Sequence, residues 1–190
     1  MEPKAVILSA GKGLRMLPLT EKIPKPLLPK RENSLLLNQI NFIRSYTNDI
    51  TITIGYLKNQ MLEALEMYKI DNFIFGHDLG NAFWINDSSF NSYEGPLVVI
   101  TCDNIMEIDI NKLIDEYYKN GEKSILVGVE GIDENADKVK FTGNEITEIG
   151  KNLESNILLS GLQILNIKKI QKEKKKFNNF YNIWEVLIKN

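Results

Sequence analysis

Gly11, Gly13, Arg15 and Lys25 have the residue types and the spacing of a polyphosphate site. The apolar run Ala5-Val6-Ile7-Leu8 ends in Ser9-Ala10-Gly11-Lys12-Gly13, a turn of small residues and glycines. An arginine and a lysine follow at spacings of four and fourteen from Gly11. A buried strand that delivers free backbone N–H groups beside two cations is equipped to hold a chain of phosphates. Arg15 suits a forked contact to phosphate oxygens, and Pro24 and Pro26 stiffen the loop that carries Lys25. Far along the chain, Asp103 follows the apolar run 97–102. A carboxylate there is costly to desolvate unless it meets a cation or strong donors. Mg²⁺ is commonly held by one or two carboxylates together with substrate phosphates, so Asp103 is the candidate metal ligand. The competing role, capping the helix that begins near Ile110, falls better to Asp109.

Two familiar phosphate sites do not fit these letters. No G-x-x-x-x-G-K-[ST] string occurs around 11–19. A dinucleotide fingerprint needs a third glycine or alanine where this chain has Met16. What does fit is G-x-G-x-R, then Pro18-Leu19-Thr20, then Pro24-Lys25-Pro26-Leu27-Leu28-Pro29. That pattern, unbroken over 5–29, resembles the signature of the nucleotidyltransferase (NDP-sugar pyrophosphorylase) superfamily. The resemblance implies nucleotide contacts from Leu8, Ala10, Gly11, Gly13, Arg15 and Lys25, with Mg²⁺ on Asp103. The stretch 77–82 is similar to the family's small-residue segment near base and ribose, which puts Gly80 and Asn81 beside the nucleotide. His77, the sole histidine, reads as a rim residue and at most a neighbour of the base.

The resemblance also implies the reaction: an acceptor phosphate oxygen attacks the α-phosphorus of a nucleoside triphosphate, and pyrophosphate leaves. A phosphate monoester is largely dianionic near neutral pH, its second pKa being about 6, so no general base is required. Arg15, Lys25 and Asp103 then catalyse by positioning and charge neutralisation. Gly150-Lys151 resembles the I-G-K string of cytidylyltransferases that act on phosphocholine-like acceptors, and 159–162 resembles the family strand that carries Gly161. Lys151 and Gly161 would thus meet the acceptor, although Lys151 also fits an ordinary turn lysine. This tilts the donor towards CTP. Asp103-Asn104-Ile105 tilts it back towards a sugar 1-phosphate with UTP, dTTP or GTP. One departure bears on catalysis: the family supplies a second, late aspartate, and here the last aspartate is Asp137. Water and triphosphate oxygens could complete the metal shell, Glu185 could replace the carboxylate, or the protein could bind nucleotide without turnover.

These residues need a scaffold, and the chain alternates strand and helix. Strand patterns fall at 4–9, 50–55, 72–75, 97–102 and 124–129, and helical ones at 36–43, 61–68, 80–90 and 110–118. Thr142-Gly143-Asn144 marks a hairpin between 139–141 and 145–149, followed by a strand at 158–165 and helices at 167–176 and 180–189. This is an α/β class fold: a Rossmann-like, mostly parallel sheet with helices on both faces, which the resemblance makes glycosyltransferase-A-like. In such sheets ligands gather beyond the C-terminal strand ends, where the glycine turn, 77–82 and Asp103 all arrive.

With 190 residues, the chain is expected to form a single domain over 1–190, short at its C-terminus. A net charge of −2 gives no electrostatic case for nucleic acid or membrane partners, and the six lysines of 168–176 read as a solvated face. Cys102, the only cysteine, reads as a reduced core residue, and no 18-residue apolar stretch occurs. The expectation is a cytoplasmic enzyme acting on small phosphorylated molecules, with its oligomeric state open.

Overall fold

The structure is a computed structural model that describes residues 3–76, 78–173 and 175–189. The first half of the chain forms β1 (Lys4–Leu8), the short pair β2 (Pro29–Lys30) and β3 (Asn33–Ser34), then α1 (Leu35–Arg44) and β4 (Asp49–Ile54). It continues through α2 (Lys58–Met67), β5 (Asn72–Phe75), β6 (Pro96–Thr101) and α3 (Ile110–Lys119). The second half contributes β7 (Ile125–Glu130), β8 (Lys138–Thr142), β9 (Glu145–Gly150), β10 (Ile157–Asn166), α4 (Ile167–Gln171) and α5 (Phe180–Lys189).

The main sheet runs β5-β4-β1-β6-β10-β8-β9, with β7 also on β10. Its first four strands are parallel and form the expected core of an α/β fold. From β10 onward the sheet continues antiparallel, ending in the β8–β9 hairpin predicted around Gly143. Continuous apolar runs suit strands covered on both faces, and here alternate residues feed two separate layers. Ala5, Ile7, Val98 and Ile100 pack with α1, α2 and α3. Val6, Leu97, Val99 and Leu165 pack against Trp84, Phe90 and the aromatic face of α5.

Helix starts follow local chemistry. Ser34 accepts from the Leu37 N–H at 3.0 Å, and Asp109 accepts from the Asn111 N–H at 3.0 Å in the capping role foreseen for it. Two helices are shorter than their patterns imply. Residues 83–90 form two single turns, because Asp87 is extended and its carboxylate accepts from the Ser89 N–H, which breaks the run. α4 ends at Gln171: among the described residues between Ile170 and Phe177 no side chain is buried to anchor a longer helix. Among the described residues, no helix is long and apolar enough to cross a membrane.

Trp84 is fully buried, edge-on to Phe90 at 5.7 Å and tilted against Phe180 at 6.3 Å. Trp84→Ala should cost about 3–5 kcal/mol in urea unfolding, whereas Ile132→Ala, 97% exposed, should stay within about 0.5 kcal/mol.

Candidate active site

β1 lies between two parallel partners, with Leu8 opposite Thr53 on one side and Thr101 on the other. Register therefore brings the ends of β4, β1 and β6 to one edge, and a cleft of about 1240 Å³ opens there. Leu8, Ala10, Gly11, Gly13, Arg15 and Lys25 line it, as do Gly80, Asn81, Asp103 and Gly161. Lys151 does not: it sits exposed on the turn after β9, the outermost strand of that half of the sheet. His77 lies outside the described residues.

The turn after β1 is held from outside and left open within. The Ser9 N–H donates to Thr53 Oγ1 at 2.9 Å, the Ala10 carbonyl accepts from the Tyr56 N–H at 3.2 Å, and the Gly13 carbonyl accepts from Thr20 Oγ1 at 2.9 Å. Among the described residues, the N–H groups of Ala10, Gly11, Lys12 and Gly13 donate to nothing in the chain. Gly13 has φ +65°, a conformation that L side chains rarely adopt, and a Cβ on Gly11 would meet no atom within 4 Å. The result is a row of unspent donors facing an open space, which is what an anionic oxygen chain needs.

Lys25 reaches from its proline-braced turn to Asp103 and forms an ion pair with it. Burial pushes the Asp103 carboxyl up, but the Lys25 ammonium, through hydrogen bond and charge, outweighs it and holds the carboxyl below its ordinary range. Thr101 adds in the same direction, although its Oγ1 has no partner in hydrogen-bond geometry. Behind Asp103, the Cys102 thiol is pushed up to about 12 by burial and then by the Asp103 charge, as befits a core cysteine. Asn104 locks this corner: its amide donates to the Ser160 carbonyl while its own carbonyl accepts from Gln39. Gly161, at φ +84°, sits where β10 shifts register, and a Cβ there would lie 2.6 Å from Thr101 Oγ1. Its glycine is thus required by the chain's own packing.

Several contributors were absent from the sequence reading. Gln39 is a buried amide on the apolar face of α1; a polar residue in phase with Leu36, Ile40 and Ile43 was the available signal. Lys12 pairs with Asp78 at 3.1 Å, joining the glycine turn to the segment after β5. Asp133, Asp137 and Gln163 also line the cleft, together with the largely buried rings of Phe180 and Trp184, whose cluster Leu8 and Ala10 pack against. Glu185, the suggested replacement carboxylate, instead pairs with Lys189 at 2.6 Å and does not line the cleft. Gly80 is also explained by packing, since a Cβ there would come within 1.9 Å of the Asn178 carbonyl oxygen.

The family model described as nucleotidyl transferase matches residues 4–141. The chain belongs to that family. It is 29% identical over 164 residues to the bifunctional protein GlmU of Methanococcus aeolicus, covering 83% of this chain and 39% of that one. It is 28% identical over 140 residues to the mannose-1-phosphate guanyltransferase of Aspergillus oryzae, covering 69% and 38%. To the choline-phosphate cytidylyltransferase of Streptococcus pneumoniae it is 34% identical over 109 residues, covering 54% and 45%. The solved structure of the CTP:phosphocholine cytidylyltransferase LicC from Streptococcus pneumoniae superposes with a TM-score of 0.73 at 25% identity, covering all of this chain and 85% of that one. The chain spans less than half the length of these curated relatives.

Because Asp103 titrates below its unfolded value, its contribution to stability is complete above the ordinary carboxylate range and is lost as pH falls through the lowered folded value. Lys25→Met removes the hydrogen bond and charge that do most to oppose burial, leaving only backbone and Thr101 contributions against it. The Asp103 carboxyl should then titrate at higher pH than in the wild type in a side-chain carboxyl NMR titration. An unchanged titration would show that Lys25 does not set it.

Proposed function

We propose that this chain transfers a nucleoside monophosphate, with CTP the favoured donor, to a phosphorylated small-molecule acceptor and releases pyrophosphate. The observation that carries the proposal is the pairing, across one cleft, of undonated N–H groups at 10–13 with the Lys25–Asp103 ion pair. The turn cradles the donor's phosphate oxygens, and Arg15, exposed at the mouth, adds a forked cation. Leu8 supports the floor of the nucleotide side, and Gly80 and Asn81 border it. All three cationic residues among the described cleft lining, Lys12, Arg15 and Lys25, belong to the signature loop. Asp133 and Asp137 line the same cleft, and in this proposal the acceptor's phosphate goes to the cationic loop and its head group to those carboxylates.

Among the cleft-lining carboxylates, Asp103, which follows β6 and pairs with Lys25, is the one we assign to a divalent cation. Among the described residues no group of three or more ligating side chains exists, so the donor set fits Mg²⁺ held mainly by substrate and water oxygens. When bound, Mg²⁺ would neutralise the charge that builds on the triphosphate. Lys25, paired with Asp103 in this structure, is then free to turn its ammonium to the phosphates. The acceptor's phosphate dianion forms a bond to the α-phosphorus as the bond to the bridging oxygen breaks, and pyrophosphate leaves with that electron pair. Lys151 would meet the acceptor only if the turn after β9 approached the cleft.

The preference for CTP rests on the Streptococcus pneumoniae relative and on the Gly150-Lys151 string. A second reading, transfer to a sugar 1-phosphate, is favoured by the Aspergillus relative and by Asp103-Asn104-Ile105. A third, nucleotide binding with weak turnover, draws on the absence of an aspartate after Asp137. Asp103→Ala should lower pyrophosphate release by at least about a hundredfold while leaving the thermal transition cooperative. Turnover within about twofold of wild type in a folded variant would remove Asp103 from the reaction.

A further inference from the structure

The cleft-lining segment 78–82 is tied to both sides of the cleft. On the nucleotide side, Asp78 pairs with Lys12 of the glycine turn. On the other, the Ala82 N–H donates to the Asn178 carbonyl at 3.2 Å, and Asn178 packs so closely on Gly80 that no side chain fits between them. Asn81 makes the most specific of these links. Its Oδ1 accepts from the Phe180 N–H at 3.1 Å, satisfying a first-turn donor of α5, and its carbonyl accepts from Trp84 Nε1 at 3.1 Å. A helix start has N–H groups without helical partners; here Asn179 Oδ1 takes the Asn182 N–H at 3.1 Å as the local cap, and Asn81 takes the Phe180 N–H from outside the helix, tying that start to the segment 78–82.

The position of α5 matters because two of its aromatic side chains line the cleft. Phe180 and Trp184 stack at 5.7 Å with 25° between their planes. Trp184 Nε1 donates to Gln163 Oε1 at 2.9 Å, which fixes the ring against another cleft residue. Tyr181, one step along the helix, donates to Asp137, another cleft-lining residue. A shift of the first turn would therefore move Phe180, Trp184 and the partner of Asp137 together.

We propose that Asn81 is a positioning residue that sets the acceptor wall by tying down the start of α5, holding Phe180 and Trp184 in register with the glycine turn. This rests on the transferase reading above, and it gives Asn81 a role exerted through α5 in place of side-chain contact with nucleotide. It also makes the segment 78–82 a physical link between the turn that takes the donor and the wall that takes the acceptor.

The test compares wild type, Asn81→Ala and Asn81→Asp by steady-state kinetics and by backbone amide exchange at the start of α5. Aspartate retains an oxygen that can accept the Phe180 N–H bond, and a negative charge is favourable at a helix N-terminus. Asn81→Ala should raise the acceptor KM about tenfold, leave the triphosphate KM within about twofold, and speed exchange at the first turn of α5. Asn81→Asp should restore both exchange and acceptor KM. An Asn81→Ala variant whose triphosphate KM rises as much as its acceptor KM, or an Asn81→Asp variant no better than alanine, would overturn the proposal. An inactive wild type would instead remove the transferase reading, and amide exchange would decide the Asn81–α5 link alone.

Discussion

The site depends first on the burial of β1 between two parallel neighbours. Because Leu8 is held opposite both Thr53 and Thr101, the turn that follows β1 and the aspartate that follows β6 must emerge side by side. No loop has to search for that geometry, since ladder hydrogen bonds and the two apolar layers enforce it. Lys25 then closes the arrangement by meeting Asp103 from the proline-braced segment, which the sheet does not position directly. The ion pair is partly exposed, so its contribution to stability is modest. Its larger consequence is chemical: it keeps a carboxylate ionised at a half-buried position where burial alone would favour the neutral acid.

Around that centre, polar side chains fix backbone corners. Gln39 and Asn104 tie the end of β6 to α1 and β10, while Thr20 pins the Gly13 carbonyl. Asn81 and Asn86 do the same for the C-terminal part of the chain, Asn86 bonding both the N–H and the carbonyl of Phe177. Rigid elements thus present loops whose conformations are set by a few amides, which is how a site is held within catalytic tolerance. The glycines divide accordingly. Gly80 and Gly161 are required by contacts within the chain, whereas Gly11 faces empty space that a ligand can use.

Much of this was legible in the sequence where the signal was local. The strand–turn pattern of 5–13, the hairpin at Gly143 and the carboxylate at the end of an apolar run each lie within a short stretch, and each stands where expected. The cap Asp109 was readable for the same reason. What escaped depends on distant pairing. Lys12 with Asp78, Gln39 with Asn104 and Asn81 with Phe180 are separated by many residues, and single-sequence pattern carries no record of them. Lys151 was placed by its position relative to Gly161, but sheet order puts β9 at the margin, away from the cleft lining. The stretch 167–176 read as one helix, yet α4 ends at Gln171, and among the described residues between Ile170 and Phe177 no buried side chain extends an apolar face.

The most direct measurement is ³¹P NMR of a reaction containing Mg²⁺, CTP and a phosphomonoester acceptor, repeated with sugar 1-phosphates and the other triphosphates. The account predicts a new phosphoanhydride linking nucleotide and acceptor, equimolar with pyrophosphate, formed only when donor and acceptor are both present. Nucleotide consumption that is independent of any acceptor would contradict it. So would saturable nucleotide binding with no linked product in any combination.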